Sequence, residues 1–489
     1  MSTVAIDEIL ISVSPGETRA ALVAQGRLIE LAVERAASPS LAGSIYLGRV
    51  GKLAPGMAAA FIELGAAGAG FLARDDAKGA LDQHGAPSAA TLHEGEALVV
   101  QVAADAVGGK GPRLTGAVAL PGHAIVYTPA KPGLAVSRRI ADVEERSRLE
   151  AALRPHLGAG DGFVVRTAAA GAQAAALLDE LAQLRALWQA ILARAREARA
   201  PALLHADSEP VGRVLREHAS AALRLVLCDG REAKGRTDAF LRQYGRADSV
   251  ETALHRGPEA LLARHDIDGQ IAEALEPVVA LPSGGSLAIG TLEALSAIDV
   301  NSARQGSSGR FEEAALAVNL EAADEIARQV RLRNLAGLIV IDFLHTAKAK
   351  SRARVGEALA AAFAADPVPV ELGGFTRLGL FEMTRKRVRA SLQEVLGEPC
   401  AACRGSARLA SAASVAYEVL RAAERAARAA PGGHLRVVAA EAVIAALEGE
   451  AAAARRSLER QLGRGLALTI EPSFRREQFD IVTGGSTAG

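Results

Sequence analysis

The stretch "LSAIDVNSARQ" (residues 295–305) places Asp299 at the end of an apolar run, with Asn301 and Ser302 beyond it before the chain turns polar. Another stretch, "LAGLIVIDFLH" (335–345), repeats the arrangement 43 residues later with Asp342 between Ile341 and Phe343. Short aliphatic and β-branched runs of this kind read as buried β-strands. Between them Leu316, Leu320, Ala323, Ala327 and Val330 recur at helical spacing, so residues 311–334 read as a crossover helix. A strand, helix and strand of this length bring both acids to one edge of a shared sheet. The alternation runs through 282–400, with a further helix near 351–364, and predicts an α/β sheet covered on both faces.

An ionised carboxylate in an apolar strand is costly unless it is compensated, and no lysine or arginine adjoins either aspartate in its strand. One reading makes each Asp a cap that accepts backbone amides of the following turn. The other joins Asp299, Asp342 and the Asn301 amide into a hard oxygen set for Mg²⁺ or Mn²⁺. Two acids leave most of the ion's waters in place for attack on a phosphodiester, which predicts phosphodiester hydrolysis. The residues alone leave both readings open.

Outward from this centre, residues 1–35 read as a hairpin broken at Pro15-Gly16 and Gln25-Gly26, a sheet without a core of its own. From 43 to about 120 come short strands separated by glycine, the pattern of a small Greek-key barrel of the OB type. Phe61 and Phe71 on adjoining strands suit base stacking, yet with 3% aromatics in the chain the residues by themselves favour core. In "GDGFVVRTAAAG" a strand ends at Arg166-Thr167, a guanidinium beside a hydroxyl that can hold a terminal phosphate or lie on plain surface. Leu177, Leu181, Leu184, Trp188 and Ile191 form one seam of a helix over 173–200, a scaffold packed on another helix. Cys228 in "LRLVLCDG" reads as a buried hydrophobe. After Cys403 the pattern of strand, helices and strand suggests a small α+β appendage.

Fifty-six basic residues balance 56 acidic ones, so any nucleic-acid site must be local rather than announced by net charge. Three cysteines exclude a disulfide framework, and neither a signal core nor an apolar span of about 20 residues is present. The expectation is a soluble cytoplasmic protein with no membrane role. "EPCAACRG" carries Cys400-x-x-Cys403, half of a tetrahedral zinc site. A redox dithiol normally opens a helix after a strand, so a site completed by a second subunit's identical loop is the preferred reading, with a surface pair of no role as the alternative.

The blocks "ILISVSPGETRAAL", "GSIYLGRVGKLAPGMAAAFIELG", "TLEALSAIDVNSAR", "NLEAADEIARQVRLRNLAGLIVIDF" and "GLFEMTRKRVRASLQEVLGEPCAAC", in this order, resemble the ribonuclease E/ribonuclease G family of bacterial endoribonucleases. The resemblance covers essentially the whole chain, and the length with "EMTRKR" places it nearer the ribonuclease G branch. It implies an α/β multidomain fold: an RNase H-like subdomain (1–35 and 210–278) split by an S1-type OB barrel (36–120) and a 5′-sensor (121–209). A DNase I-like catalytic subdomain (279–395), a zinc-link (396–410) and a small α+β domain (411–489) follow. It implies that Asp299 and Asp342 bind catalytic Mg²⁺ with Asn301 positioning one of them, and that Phe61, Phe71 and Lys110 contact RNA, which reverses the core reading of the phenylalanines. Gly122, Val126, Arg166 and Thr167 match the pocket that senses a 5′-monophosphate, and Cys400 and Cys403 the cysteines that share Zn²⁺ between subunits.

The implied activity is Mg²⁺-dependent cleavage of single-stranded RNA that leaves a 5′-phosphate and a 3′-hydroxyl, in ribosomal RNA 5′-end maturation and messenger RNA decay, by a homodimer or homotetramer. Arg385, Lys386 and Arg387 either neutralise backbone phosphates or form a solvated helix face. Three positions depart from the pattern: Pro369 stands where ribonuclease E has an arginine assisting end recognition, the zinc loop reads "CAACRGSA", and His345 replaces an acid. The rival reading on the same fold is a non-catalytic RNA-binding ribosome-assembly factor, which predicts loss of one acid; a metal-dependent DNA nuclease is a third.

Overall fold

The computed structural model describes residues 5–484 apart from 55–57, 88–91, 107–110, 159, 208–209, 219–221, 245, 293, 303–310, 399, 404 and 406–407, so Lys110 lies outside the described residues. The chain forms two compact units, Met1–Leu396 and Gly397–Gly489.

The N-terminal segment is a three-stranded meander, Glu8–Ser14, Glu17–Ala24 and Arg27–Arg35, rather than a single hairpin. Gly16 (φ 83°) and the pair Gln25 (φ 53°) and Gly26 (φ 77°) take the left-handed conformations that two-residue turns demand. The meander lacks a core locally because its partner strands come much later: Leu225–Cys228 runs parallel to Glu8–Ser14, and Glu251–Leu254 extends the sheet. Ile9, Ile11, Val226 and Cys228 then share a core with the helices around them. The Cys228 thiol is pushed up by burial and lies 3.8 Å from Thr237 Oγ1, the state of an inert hydrophobe.

Five strands, Ile45–Ala54, Ala59–Glu63, Ala69–Ala73, Arg113–Thr115 and Ala97–Ala104, close into a barrel, since the first pairs with the last. Ile62, Leu72, Leu98 and Leu114 fill its interior. The next region is a four-stranded sheet ordered Leu120–Pro121, Ile125–Tyr127, Gly162–Val165, Gly133–Val136. The helix Ala174–Glu197 buries its leucine seam in a core shared with this sheet, the helix Val143–Leu153 and the barrel residues Ile45 and Leu47, so its partners are sheet as well as helix.

The sheet holding the two aspartates has six strands, ordered Val278–Ala280, Ser286–Thr291, Leu295–Asn301, Gly337–Asp342, Phe381–Arg385, Val370–Phe375. Helices Phe311–Leu332 and Ala349–Phe363 bury Ile298, Val300, Ile339 and Ile341 on one face. The other face is open: Ala297, Asp299, Asn301, Leu338 and Asp342 are exposed. The expectation of a sheet covered on both faces is therefore corrected. Both long helices lie on the same side, and the period-two alternation of strands turns the acids to the other. The second unit holds the helix Ala412–Ala429 over a three-stranded sheet, of which Leu466–Ile470 and His434–Ala439 are parallel and Phe479–Gly484 adds an antiparallel edge. No helix among the described residues is long and apolar enough to cross a membrane.

Candidate functional site

Asp299 and Asp342 are direct lateral neighbours in the parallel register of their strands. The crossover helix thus does what the 43-residue spacing suggested, but the acids meet on the open face, where neither suffers the cost of burial. Asn301, two residues along the same face, donates from Nδ2 to Asp299 Oδ2 at 2.9 Å and orients that carboxylate. Among the described residues neither acid forms an ion pair, so two oxygen donors from adjacent strands and a neighbouring amide are left for a hard cation. No group of three or more His, Cys, Asp or Glu converges among the described residues. A divalent ion that keeps most of its waters fits this donor set better than a fully protein-coordinated one.

Two polar residues that sequence reasoning passed over hold the loop after Asp342. Asn319, buried on the crossover helix, donates to Leu344 O at 2.8 Å and accepts from Leu344 N at 2.9 Å. Glu312 accepts from Ala347 N, Lys348 N and Ser351 Oγ, bonds that hold its carboxyl below the usual range. The available signal was an asparagine interrupting the apolar face of "VNLEAAD".

Phe61 and Phe71 face each other across adjacent barrel strands with ring centroids 6.0 Å apart, edge to face. Phe61 is 37% exposed and Phe71 partly so, which overturns the core reading made from scarcity of aromatics. Their neighbours Ile62 and Leu72 point inward instead.

Gly122, Val126, Arg166 and Thr167 come together on the four-stranded sheet. The Arg166 guanidinium donates to Gly122 O at 2.8 Å and Arg216 O at 3.2 Å, and burial disfavours its charge. Among the described residues it has no ion-pair partner, so a half-desolvated cation sits at the strand end beside the exposed Thr167. Val126 lies between Pro121 and Val164 in register. Gly122 is required by close approach: a Cβ there would meet Glu180 Oε1 at 2.0 Å and Ile125 O at 2.9 Å. Glu180, an acid set inside the leucine seam, accepts from Ala124 N at 3.0 Å and fastens the loop, while burial raises its pKa. The sequence signal for it is a single acid that interrupts the apolar seam.

Arg166 and Pro369 line one cleft of about 810 Å³, together with Lys386, whose amide donates to Pro369 O. Asp299 and Asp342 do not line this cleft; they border a separate hollow of about 550 Å³. Of the expected basic run, Arg385 is neither helical nor free. It ends a strand, is 3% exposed, and pairs with buried Asp366 at 2.8 Å and Asn334 at 2.7 Å. Lys386 and Arg387 are exposed, as is His345.

In the second unit, Cys400 is exposed and Cys403 partly buried. Backbone amides of Cys403 and Ala402 hold the Cys400 thiol below its ordinary pKa, which favours the thiolate.

A closed five-stranded barrel carrying surface phenylalanines, joined to an α/β sheet with register-paired carboxylates, defines a multidomain α/β protein with an OB-type module. The model of the Ribonuclease E/G family matches residues 119–388, and the chain belongs to that family. Ribonuclease G of Escherichia coli strain K12 is 34% identical over 484 residues, 97% of this chain and 99% of that protein. Ribonuclease G of Haemophilus influenzae is 33% identical over 485 residues. Ribonuclease E of Escherichia coli is 36% identical over 414 residues, 83% of this chain and 39% of that longer protein.

Proposed function

We propose that this chain is an endoribonuclease that hydrolyses single-stranded RNA with a divalent cation at Asp299 and Asp342, leaves a 5′-phosphate and a 3′-hydroxyl, and prefers a 5′-monophosphorylated end. The observation that carries the reading is the lateral pairing of the two carboxylates on an open sheet face with Asn301 beside them. Mg²⁺ or Mn²⁺ bound there would supply Lewis acidity toward the charge that develops on a phosphodiester. Around it the protein's own residues divide the work. Asn301 holds Asp299 in orientation, Asn319 fixes the chain beyond Asp342, and Phe61 and Phe71 offer rings for base stacking. Arg166, with Thr167, offers a charged donor to a terminal phosphate, and Lys386 places a cation near Pro369.

The names of the relatives, ribonuclease G and ribonuclease E, support RNA as substrate; ribosomal RNA maturation or messenger RNA decay in the cytoplasm is the setting proposed with it. The assembly is a homodimer or homotetramer, with Zn²⁺ held by Cys400 and Cys403 and completed by the same pair of a second copy, since one chain offers two of four ligands. Retention of both acids argues against the non-catalytic assembly-factor reading.

The test is cleavage of a short A/U-rich oligoribonucleotide with a 5′-monophosphate or a 5′-hydroxyl, in Mg²⁺, by wild type and Asp342→Asn. The variant should be inactive and the monophosphate form should be cut faster by wild type. Undiminished cleavage by the variant would remove the catalytic assignment, and equal rates on both ends would remove the sensor.

A further inference from the structure

The open face of the catalytic sheet is not uniform. In the paired register Val278 lies beside Ala288, Ala288 beside Asp299, and Asp299 beside Asp342. The next row toward the strands' other end is Gly290, Ala297 and Val340. These rows form the floor of the hollow of about 550 Å³, with Leu380 at its rim. Among the described residues, the only charged side chains lining it are Asp299 and Asp342, and no other lining side chain carries a hydrogen-bonding group. Val278 is 56% exposed, and a Cβ at Gly290 would meet nothing within 4 Å, so the floor is open to an incoming group.

From this geometry we propose that the Ala288, Gly290 and Ala297 floor is a nucleobase subsite, seating a base of the strand whose scissile phosphate lies at Asp299 and Asp342. The proposal rests on the nuclease reading of those acids. A phosphate is disfavoured on the floor itself, because the nearest charges lining it are negative and no cation lines it among the described residues. An uncharged planar base has the opposite preference, as it loses nothing to the acids and removes apolar sheet surface from water. Connectivity brings a base within reach: each phosphate is one sugar away from a base on either side, and the floor abuts both carboxylates. With no donor or acceptor to read base edges, the subsite holds any base and distinguishes a base from none. It lies on the sheet, apart from the barrel phenylalanines, and therefore acts on a nucleotide adjoining the cut.

The experiment uses the full-length protein with Mg²⁺ and an oligoribonucleotide cut at one position, scanned with a single abasic nucleotide on each side of the cut. One flanking abasic position should lower kcat/KM roughly fivefold, by loss of the apolar contact between base and floor. Base swaps at that position should change it less than threefold. Gly290→Leu adds a Cβ that meets nothing within 4 Å, covers the floor, and should lower kcat/KM on the intact substrate to the abasic value, with little further loss on the abasic one. Ala297→Leu is the second variant, with melting temperature as the fold check. Rates insensitive to flanking abasic sites, or a Gly290→Leu protein that cuts as wild type does, would overturn the subsite while leaving Asp342-dependent cleavage intact. A change in oligomer mass in Gly290→Leu would overturn it in favour of a face that binds a second copy. Wild type that cuts no RNA at all would fell the nuclease reading, and the subsite with it.

Discussion

Replacing Asp299 by Asn separates a ligand from a structural cap by the sign of a stability change. Asp299 and Asp342 are exposed lateral partners in a parallel pair. Strands lie about 4.8 Å apart, and two like charges at that separation repel by about 0.9 kcal/mol even at the dielectric constant of water. The Asn side chain keeps an oxygen for the bond that Asn301 donates, so little is lost in exchange. In EDTA, Asp299→Asn should therefore be more stable than wild type by about 1 kcal/mol, as expected for like charges directly opposite on a sheet. Mg²⁺ should reverse the order: at ten times its dissociation constant it stabilises wild type by about 1.4 kcal/mol and leaves the variant unmoved. Calorimetric melting with and without Mg²⁺, together with the cleavage assay, reads all three quantities. A variant that is less stable in EDTA and inactive would mean that Asp299 serves as a structural cap. A variant still stabilised by Mg²⁺ would refute the assignment of the ion to this pair.

Three further outcomes follow from particular contacts. Arg385→Met leaves Asp366 buried without its partner, both side chains being 3% exposed, and should cost about 3–5 kcal/mol in urea unfolding. Gly122→Ala drives a methyl into Glu180 and should erase the preference for 5′-monophosphorylated over 5′-hydroxyl RNA, measured as a ratio of kcat/KM, with slower change on the hydroxyl substrate. His123 is buried against Phe240 and Tyr244, its Nδ1 has no side-chain partner among the described residues, and burial lowers its pKa from 6.5 to about 4. Its neutral form thus stabilises the fold in full above pH 6.5, and that contribution drains away as pH falls toward 4. His123→Phe should flatten this part of the profile of urea midpoint against pH.

Much of the site was visible along the chain because its signals are local. The apolar runs ending at Asp299 and Asp342, the helical spacing between them and the leucine seam over 177–191 all survive as strands, crossover helix and buried helix face. The reading of Phe61 and Phe71 from scarcity failed because composition says nothing about which side of a barrel wall a side chain takes. Arg385 was misjudged for a related reason: its partner Asp366 sits in a turn 19 residues back, and only the hairpin of the sheet brings the two together. Asn319 and Glu180 were in view as polar breaks in apolar faces, but their partners are backbone groups of distant loops, which no pattern of side chains reveals.

By itself the sequence determined the elements and their order, and that two acids and an amide end strands joined by one helix, since hydrophobic period and crossover length are properties of neighbouring residues. Only the tertiary structure decided that Asp299 and Asp342 stand side by side on an open face. Strand alternation offers two faces of equal standing, and the choice between them, like the register that pairs the acids, is made by where both long helices pack.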